Sequence, residues 1–224
     1  MAVKIITTAD GSHSLFDEDL NETYHSIHGA IQESRHVFIA NGLDRVLQKN
    51  SAREISILEV GLGTGLNALL TLQYLLDHPQ FIQYTAVEPS PLRQEILSQL
   101  NHSKLLDLEA YYKRLHDGEW GASELLRHNF KFTKLNTRLQ DLEITMPVFD
   151  LVYYDAFAPS KQADLWALPV LEKIGGAMKP GGVFVTYCAT GQLKRNLKAI
   201  GLIVETLAGP PGKKEMVRAV KLLP

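Results

Sequence analysis

Residues 55–78 read "ISILEVGLGTGLNALLTLQYLLDH". Ile55–Val60 is a short β-branched apolar run, the pattern of a strand covered on both faces. Gly61, Gly63 and Gly65 follow at once, and the leucines after them recur at helical spacing. Strand, glycine turn, helix is the opening unit of an α/β sheet, and glycine in the turn lets backbone N–H groups approach a ligand at the helix start.

The same alternation continues downstream. "FIQYTAVEP" is a second strand closed by Pro89, and "PLRQEILSQL" opens a helix with proline in its first turn. Residues 102–128 read as a helical insertion. "NFKFTKLNTRLQDL" holds a third strand, "FDLVYYD" a fourth, "VFVTYCA" a fifth, "LIVETLAG" a sixth and "EMVRAVKLL" a seventh, with helices at "DLWALPVLEKIGGAM" and "QLKRNLKAI". Strands alternating with helices imply a mostly parallel sheet, and the last pair, joined by a turn, implies one antiparallel strand. The expected architecture is a Rossmann-like seven-stranded sheet over residues 51–224, preceded by an N-terminal extension, 1–50, whose type periodicity alone does not settle.

The totals exclude several classes. At 45% hydrophobic and 21% charged over 224 residues the chain is globular, neither disordered nor a coiled coil. No apolar run reaches the roughly 18 residues of a membrane span, and the N-terminus lacks a signal-peptide layout, so a cytoplasmic location is expected. A single cysteine, Cys188, removes disulfide frames and cysteine clusters. The net charge of -2 argues against a non-specific grip on long nucleic acid, while "LKRNLK" (Lys194, Arg195, Lys198) and "PGKKEMVR" (Lys213, Lys214, Arg218) remain local basic patches.

The glycine spacing separates two ligands. A dinucleotide fingerprint needs Gly-x-Gly-x-x-Gly, and its sixth place is Leu66 here, which counts against a dinucleotide-dependent oxidoreductase. The spacing instead resembles the acid-x-Gly-x-Gly-x-Gly signature of class I S-adenosylmethionine-dependent methyltransferases, with Glu59 as the leading acid. Glu88 closes the second strand, where a carboxylate can accept ribose hydroxyls, and Asp141 follows the third, where this fold usually meets adenine. The expected donor-binding set is Glu59, Gly61, Gly63, Thr64, Gly65, Asn67, Glu88 and Asp141. A glycine turn that is purely structural and acids that are solvated strand ends are the bland alternatives.

Asp155 ends the fourth strand, where such sheets face the sulfonium methyl. An amine attacks carbon only through a free lone pair, yet an alkylamine is mostly protonated at neutral pH, so a carboxylate that binds the ammonium and takes its proton fits. Asp155 is therefore the catalytic candidate, with a helix cap as its structural alternative. Ala156, Phe157, Ala158 and Pro159 would form a stiff wall with room for a planar ring.

"ETYHS", "GAIQESRHVF", "EVGLGTGLN", "EPSPL", "YDAFAPSKQADLW" and "GPPGKKEM" together resemble the methyltransferase domain family of the bifunctional tRNA-modifying protein MnmC and its stand-alone relatives. The resemblance runs from about Phe16 to Val220, and its most specific piece is D-x-F-A-P-x-K-x-x-D-x-W from Asp155 to Trp166. It implies methyl transfer from S-adenosylmethionine to the 5-aminomethyl nitrogen of a wobble uridine in the tRNA anticodon loop. Asp155 and Phe157 would then meet the uridine, with Pro159 and Lys161 on the substrate side. Ala156 stands where the family has glycine, and "GPPGKKEM" replaces an aromatic, arginine-containing stretch. The flavin oxidase of the two-domain form lies outside this chain, so FAD is not expected. Glu33 and Arg35 either close the site over the base or pair on the surface. Lys194, Arg195, Lys213 and Lys214 either touch anticodon-loop phosphates or lie on solvated faces. His25, His28 and His36 show no metal-ligand spacing, and no metal is expected. Rival readings are another amine methyltransferase, an aminopropyl transferase, whose usual aspartate-rich loop is missing here, and a non-catalytic RNA-binding relative.

Overall fold

Both faces of the strand Glu54–Val60 are covered: Ile55 and Ile57 feed one apolar core while Leu58 and Val60 feed the other. The computed structural model describes residues 2–49, 54–144 and 146–223. Its strands are β1 (Val3–Thr7), β2 (His13–Asp17), β3 (Glu22–Thr23), β4 (Glu54–Val60), β5 (Phe81–Val87), β6 (Ser123–Arg127), β7 (Phe130–Leu135), β8 (Phe149–Tyr154), β9 (Met178–Thr186), β10 (Leu202–Ala208) and β11 (Glu215–Lys221). The main sheet runs β10-β11-β9-β8-β4-β5-β7-β6.

Pairing is parallel from β7 through β5, β4 and β8 to β9, and antiparallel where β11 inserts between β9 and β10. The chain moves outward from β4 in one direction through β5 and β7, then returns to build β8 and β9 on the other side. The order therefore reverses between β4 and β8, and the crevice outside the carboxyl ends at such a point is where open sheets hold ligands. Val60 pairs with Tyr154, so the chain leaves both strands side by side. The Asp155 N–H donates to Val60 O at 3.0 Å, Gly61 N–H to Val87 O at 3.0 Å and Glu88 N–H to Leu135 O at 3.0 Å, which aligns the tips of four strands.

The helices are α1 (Ala30–Ser34), α2 (Asp44–Lys49), α3 (Leu66–Tyr74), α4 (Gln94–Leu97), α5 (His102–Leu105), α6 (Glu109–Asp117), α7 (Leu168–Ala177) and α8 (Gly191–Ala199). Between α1 and α2 the run Arg35–Leu43 is wound as a π-helix, which shifts the apolar spacing away from the α period. The stretch 21–38, which periodicity leaves undecided, runs from β3 through α1 into this winding, so no single period describes it. The winding lays Val37, Phe38 and Leu43 on the sheet, with the Phe38 and Tyr153 rings 5.2 Å apart. At Gly42 a Cβ would sit 3.0 Å from Val185, so helix and sheet touch closely there.

Three expectations change. The sheet has eight strands, because β6 pairs antiparallel with β7 and ends the stretch 102–128 that was expected to be helical throughout. The second helix shrinks to α4, with Pro91 before it. The N-terminal residues form their own three-stranded sheet, β1-β2-β3, whose Leu15 packs on Leu97 and Leu100. Thr8, Asp10 and Ser12 tie this sheet to α1: Ala30 N–H donates to Ser12 Oγ at 3.2 Å and Gln32 N–H to Asp10 Oδ2 at 2.9 Å. Among the described residues no helix is long and apolar enough to cross a membrane.

Gly61 leaves β4 with φ of +89°, and a Cβ there would lie 2.7 Å from the carbonyl oxygen of Asp155. Gly61→Ala should therefore lower the unfolding free energy by about 1–3 kcal/mol from backbone conformation alone, with the clash adding to it. Gly176, exposed in α7 with open space around it, is the control: Gly176→Ala should stabilise by up to roughly 1 kcal/mol. Urea unfolding of both variants checks the pair.

Candidate active site

A cavity of about 590 Å³ opens at the carboxyl edge of the sheet, where Gly61, Glu88 and Asp155 emerge from β4, β5 and β8. That volume suits a small organic ligand. The glycine loop forms one wall. Gly63 N–H donates to Glu88 Oε2 at 3.1 Å and Ser90 N–H to Oε1 at 2.9 Å, so the carboxylate is oriented by backbone donors and lines the cavity. Burial raises the Glu88 pKa, and the two N–H bonds oppose the rise.

The loop is braced from behind. Gly65 starts α3 with φ of +74°, and a Cβ there would come within 2.9 Å of His116 Nε2. Tyr112 Oη donates to Thr64 O at 3.1 Å, and His116 Nε2 lies 3.2 Å from the same oxygen. On the other side His25 Nε2 and Thr64 Oγ1 share a hydrogen bond of 2.9 Å. Burial pushes both histidines down to about 3, so they are neutral struts at ordinary pH. Among the described residues no cluster of three or more His, Cys, Asp and Glu could hold a metal.

Asp155 forms part of the cavity lining at the tip of β8. Burial pushes its carboxyl up to about 7. A hydrogen bond of 2.8 Å from Asn67 Nδ2 to Oδ2 opposes the rise, Glu33 adds to it and Lys213 opposes it. Glu33 and Lys213 form an ion pair, and Glu33 is held with only 7% of its side chain exposed. Lys213 Nζ also lies 3.9 Å from the centre of the Tyr187 ring, while Tyr187 Oη donates to Ala156 O at 2.9 Å. The N-terminal segment, the 209–214 turn and the end of β9 thus converge on the residue after Asp155.

The run after Asp155 is rigid for a visible reason. Phe157 N–H donates to Gln162 Oε1 at 3.0 Å, and its carbonyl accepts from Trp166 Nε1 at 2.8 Å. The Trp166 ring in turn packs edge-on to Tyr154 at 5.0 Å. The spacing of Phe157, Gln162 and Trp166 is therefore that of a clasp around one backbone unit. It aims the Phe157 ring edge-to-face at Tyr24, 4.9 Å away.

Of the residues named from sequence, Gly61, Gly63, Glu88, Asp155, Phe157 and Lys161 line the cavity. Thr64 and Gly65 support the loop from behind. Glu59 points to the opposite face, fully buried, and meets Asn67 at 3.0 Å, so neither borders the cavity. Asp141 is 61% exposed and pairs with Arg138 at 3.5 Å, while its neighbours Arg138, Leu139 and Gln140 border the cavity in its place. Pro159 lies off the lining, and Arg35 donates to Gln73 at 3.0 Å on the surface. Lys194 pairs with Glu215 at 2.7 Å and Arg195 donates to Gln192 at 2.7 Å, both away from the lining, as is Lys214. Asp155 caps no helix, since α7 starts after Ala167 without a side-chain cap. Tyr24, His25 and Tyr187 line the cavity and were not singled out as site residues. For the first two the signal was their place in "ETYHS"; for Tyr187, its place just past the end of β9.

The groups present fit an S-adenosyl donor: the glycines let the loop run close against Asp155 and Tyr24 along the cavity wall, a half-buried carboxylate stands at the end of β5, and Val87 and Leu139 add an apolar flank. A family model described as S-adenosyl-L-methionine-dependent methyltransferase matches residues 108–222. The tRNA 5-methylaminomethyl-2-thiouridine biosynthesis bifunctional protein MnmC of Cupriavidus necator is 30% identical over 211 residues, covering 89% of this chain and 32% of that protein. Its counterpart in Cupriavidus metallidurans is 30% identical over 212 residues, covering 89% and 31%. The chain thus spans about a third of the length of these relatives. The crystal structure of MNMC2 from Aquifex aeolicus superposes with a TM-score of 0.76 at 24% identity, covering 99% of this chain and 70% of that one, which shows the shared fold. With its family model matched over just over half its length, the chain belongs to the S-adenosyl-L-methionine-dependent methyltransferases.

Proposed function

We propose that the chain methylates the aminomethyl nitrogen at carbon 5 of a wobble uridine, with or without a 2-thio group, in the tRNA anticodon loop. The observation that carries this reading is a carboxyl poised near neutrality, Asp155, beside a glycine cradle in one cavity. The two curated relatives are named for biosynthesis of 5-methylaminomethyl-2-thiouridine in tRNA, which supports the choice of acceptor. Residues 51–224 would supply the donor-binding machinery, and the N-terminal segment would add Tyr24, His25 and Glu33. Acting on tRNA, the protein would work in the cytoplasm, and the methyl transfer itself needs no flavin.

S-adenosyl-L-methionine, when bound, supplies an electrophilic methyl on a sulfonium sulfur. Glu88 would accept the ribose hydroxyls, and the loop from Gly61 to Gly63 would form part of the wall that holds the donor. Asp155 would bind the substrate ammonium, take one proton from nitrogen and so free the lone pair that forms the new N–C bond as the S–CH3 bond breaks, leaving a thioether and a secondary ammonium. Its raised pKa serves this step, because a carboxyl near 7 holds a proton far better than an ordinary carboxylate. Phe157 and Tyr24 offer an aromatic wall to the flipped base, as single-stranded RNA recognition requires. Lys161 and Arg138 stand at the cavity for neighbouring phosphates, joined by Arg195 and Lys214 outside it. Lys213 and Lys194 serve first as ion-pair partners.

Mass spectrometry of nucleosides from tRNA bearing 5-aminomethyluridine, incubated with protein and S-adenosyl-L-methionine, should show a gain of one methyl at that nucleoside. No gain there would overturn the proposal. Asp155→Asn should bind the donor normally yet lose roughly 10²–10⁴ in kcat/KM. The wild-type kcat/KM should rise with pH through an apparent pKa near 7, a limb the variant lacks.

The same carboxyl sets a stability trend. Because its folded pKa lies above the unfolded value of 3.8, the folded state binds the extra proton between about pH 4 and 7, and stability falls as pH rises through that window. Asp155→Asn should therefore be more stable than wild type at pH 8, by something on the order of 2 kcal/mol, and little different near pH 4. Thermal unfolding at both pH values checks the sign.

A further inference from the structure

Three buried polar atoms cluster behind the tip of β8. Glu59 Oε2, Asn67 Oδ1 and Tyr84 Oη are shielded from solvent, and the Tyr84 hydroxyl lies close enough to donate to the Glu59 carboxyl. The residue at its centre has its donors fully engaged. Asn67 Nδ2 gives hydrogen bonds to Glu59 Oε1 at 3.0 Å and to Asp155 Oδ2 at 2.8 Å, and a side-chain amide has only two hydrogens.

Asn67 stands in the first turn of α3, directly after the glycine loop, and its side chain is 98% shielded, with 2% exposed. Thr71 Oγ1 donates to its backbone carbonyl at 2.8 Å, one turn on. Glu59, 0% exposed, sits behind it between Asn67 and Tyr84. Burial, then the neighbouring charge of Asp155, holds the Glu59 carboxyl well above the usual carboxylate range. Protonation of Glu59 removes the repulsion between its carboxyl and that of Asp155. The pair then carries one negative charge, on Asp155, at the cavity.

Resting on the reading above that Asp155 serves the amine, we propose that Asn67 is a positioning residue for methyl transfer. Anchored on Glu59, its amide clamps Asp155 Oδ2 from behind the strand tip and turns Oδ1 toward the substrate nitrogen. Asn67 is then not a ligand of the methyl donor, in keeping with its place outside the cavity lining.

The test follows the Asp155 carboxyl itself. In protein with ¹³C-labelled aspartate, the Asp155 signal, assigned by its loss in Asp155→Asn, is titrated in wild type and Asn67→Ala. Because the amide bond favours the charged form, its loss should move the midpoint up by roughly one pH unit. The acid limb of kcat/KM should move with it, turnover should fall roughly 10–100-fold, and calorimetric affinity for S-adenosyl-L-methionine should stay within about twofold. Asn67→Ser, whose short hydroxyl cannot span both carboxyls, gives the same readings if Asn67→Ala does not fold. An unmoved midpoint with wild-type turnover would sink the proposal, and so would a loss of donor affinity that accounts for the loss of turnover. A wild-type protein inactive on aminomethyl tRNA would defeat the function proposed above, while the titration still decides whether Asn67 clamps Asp155.

Discussion

The contact between Gly61 and Asp155 is the constraint on which the rest depends. Parallel pairing of β4 with β8 brings the ends of the two strands so close that a single Cβ on Gly61 would press on the Asp155 carbonyl oxygen. Only a residue without a side chain and tolerant of positive φ can turn the chain there. That turn makes the glycine loop and the acidic strand tip two walls of one cavity, and the hydrogen bond from Gly63 to Glu88 draws in the tip of β5 as the third. Sheet topology supplies the crevice, and the missing side chains let the loop pack closely against its other walls.

Around this crevice the protein spends stability on charge placement. The Asp155 carboxyl, part-buried in the cavity wall, resists ionisation; Asn67 and Lys213 favour the charge, while Glu33 opposes it. The result is a group near neutrality, neither an ordinary carboxylate nor a permanently protonated acid, which suits a proton acceptor working at neutral pH. Glu33 and Lys213 have a second part. They join the N-terminal helix to the turn between β10 and β11, so the segment before β4 is bound into the site's architecture rather than appended to it.

Much of the main sheet could be read in the sequence because each strand there carries an apolar run bounded by a breaker, and because a glycine loop has few physical uses. Glu88 and Asp155 were legible for the same reason: both end such runs. The antiparallel strand β6 was hidden because its residues, "SELLR", lie half exposed at a sheet edge and show no buried stripe. The π-wound stretch 35–43 broke the period on which helix reading relies. Side-chain direction was the harder matter. Strand residues alternate faces, so Glu59, one position before Val60, points into the opposite layer. Asp141 turns outward at the end of a short 3₁₀ turn and meets Arg138. Lys213, for which the sequence offered either a phosphate contact or a solvated face, pairs instead with the buried Glu33, which requires a cation. Each of these depends on contacts between residues distant in the chain, which local pattern does not encode.

If Asp155 serves as proposed, its carboxylate and the methyl donor share a cavity in which an amine can lie between them. A crystal structure with S-adenosylhomocysteine and an anticodon stem-loop bearing 5-aminomethyluridine tests this directly. The amine nitrogen should lie within hydrogen-bond distance of an Asp155 oxygen, facing the thioether sulfur, with the ribose hydroxyls on Glu88. An amine seated elsewhere, with Asp155 contacting neither substrate nor donor, would contradict it.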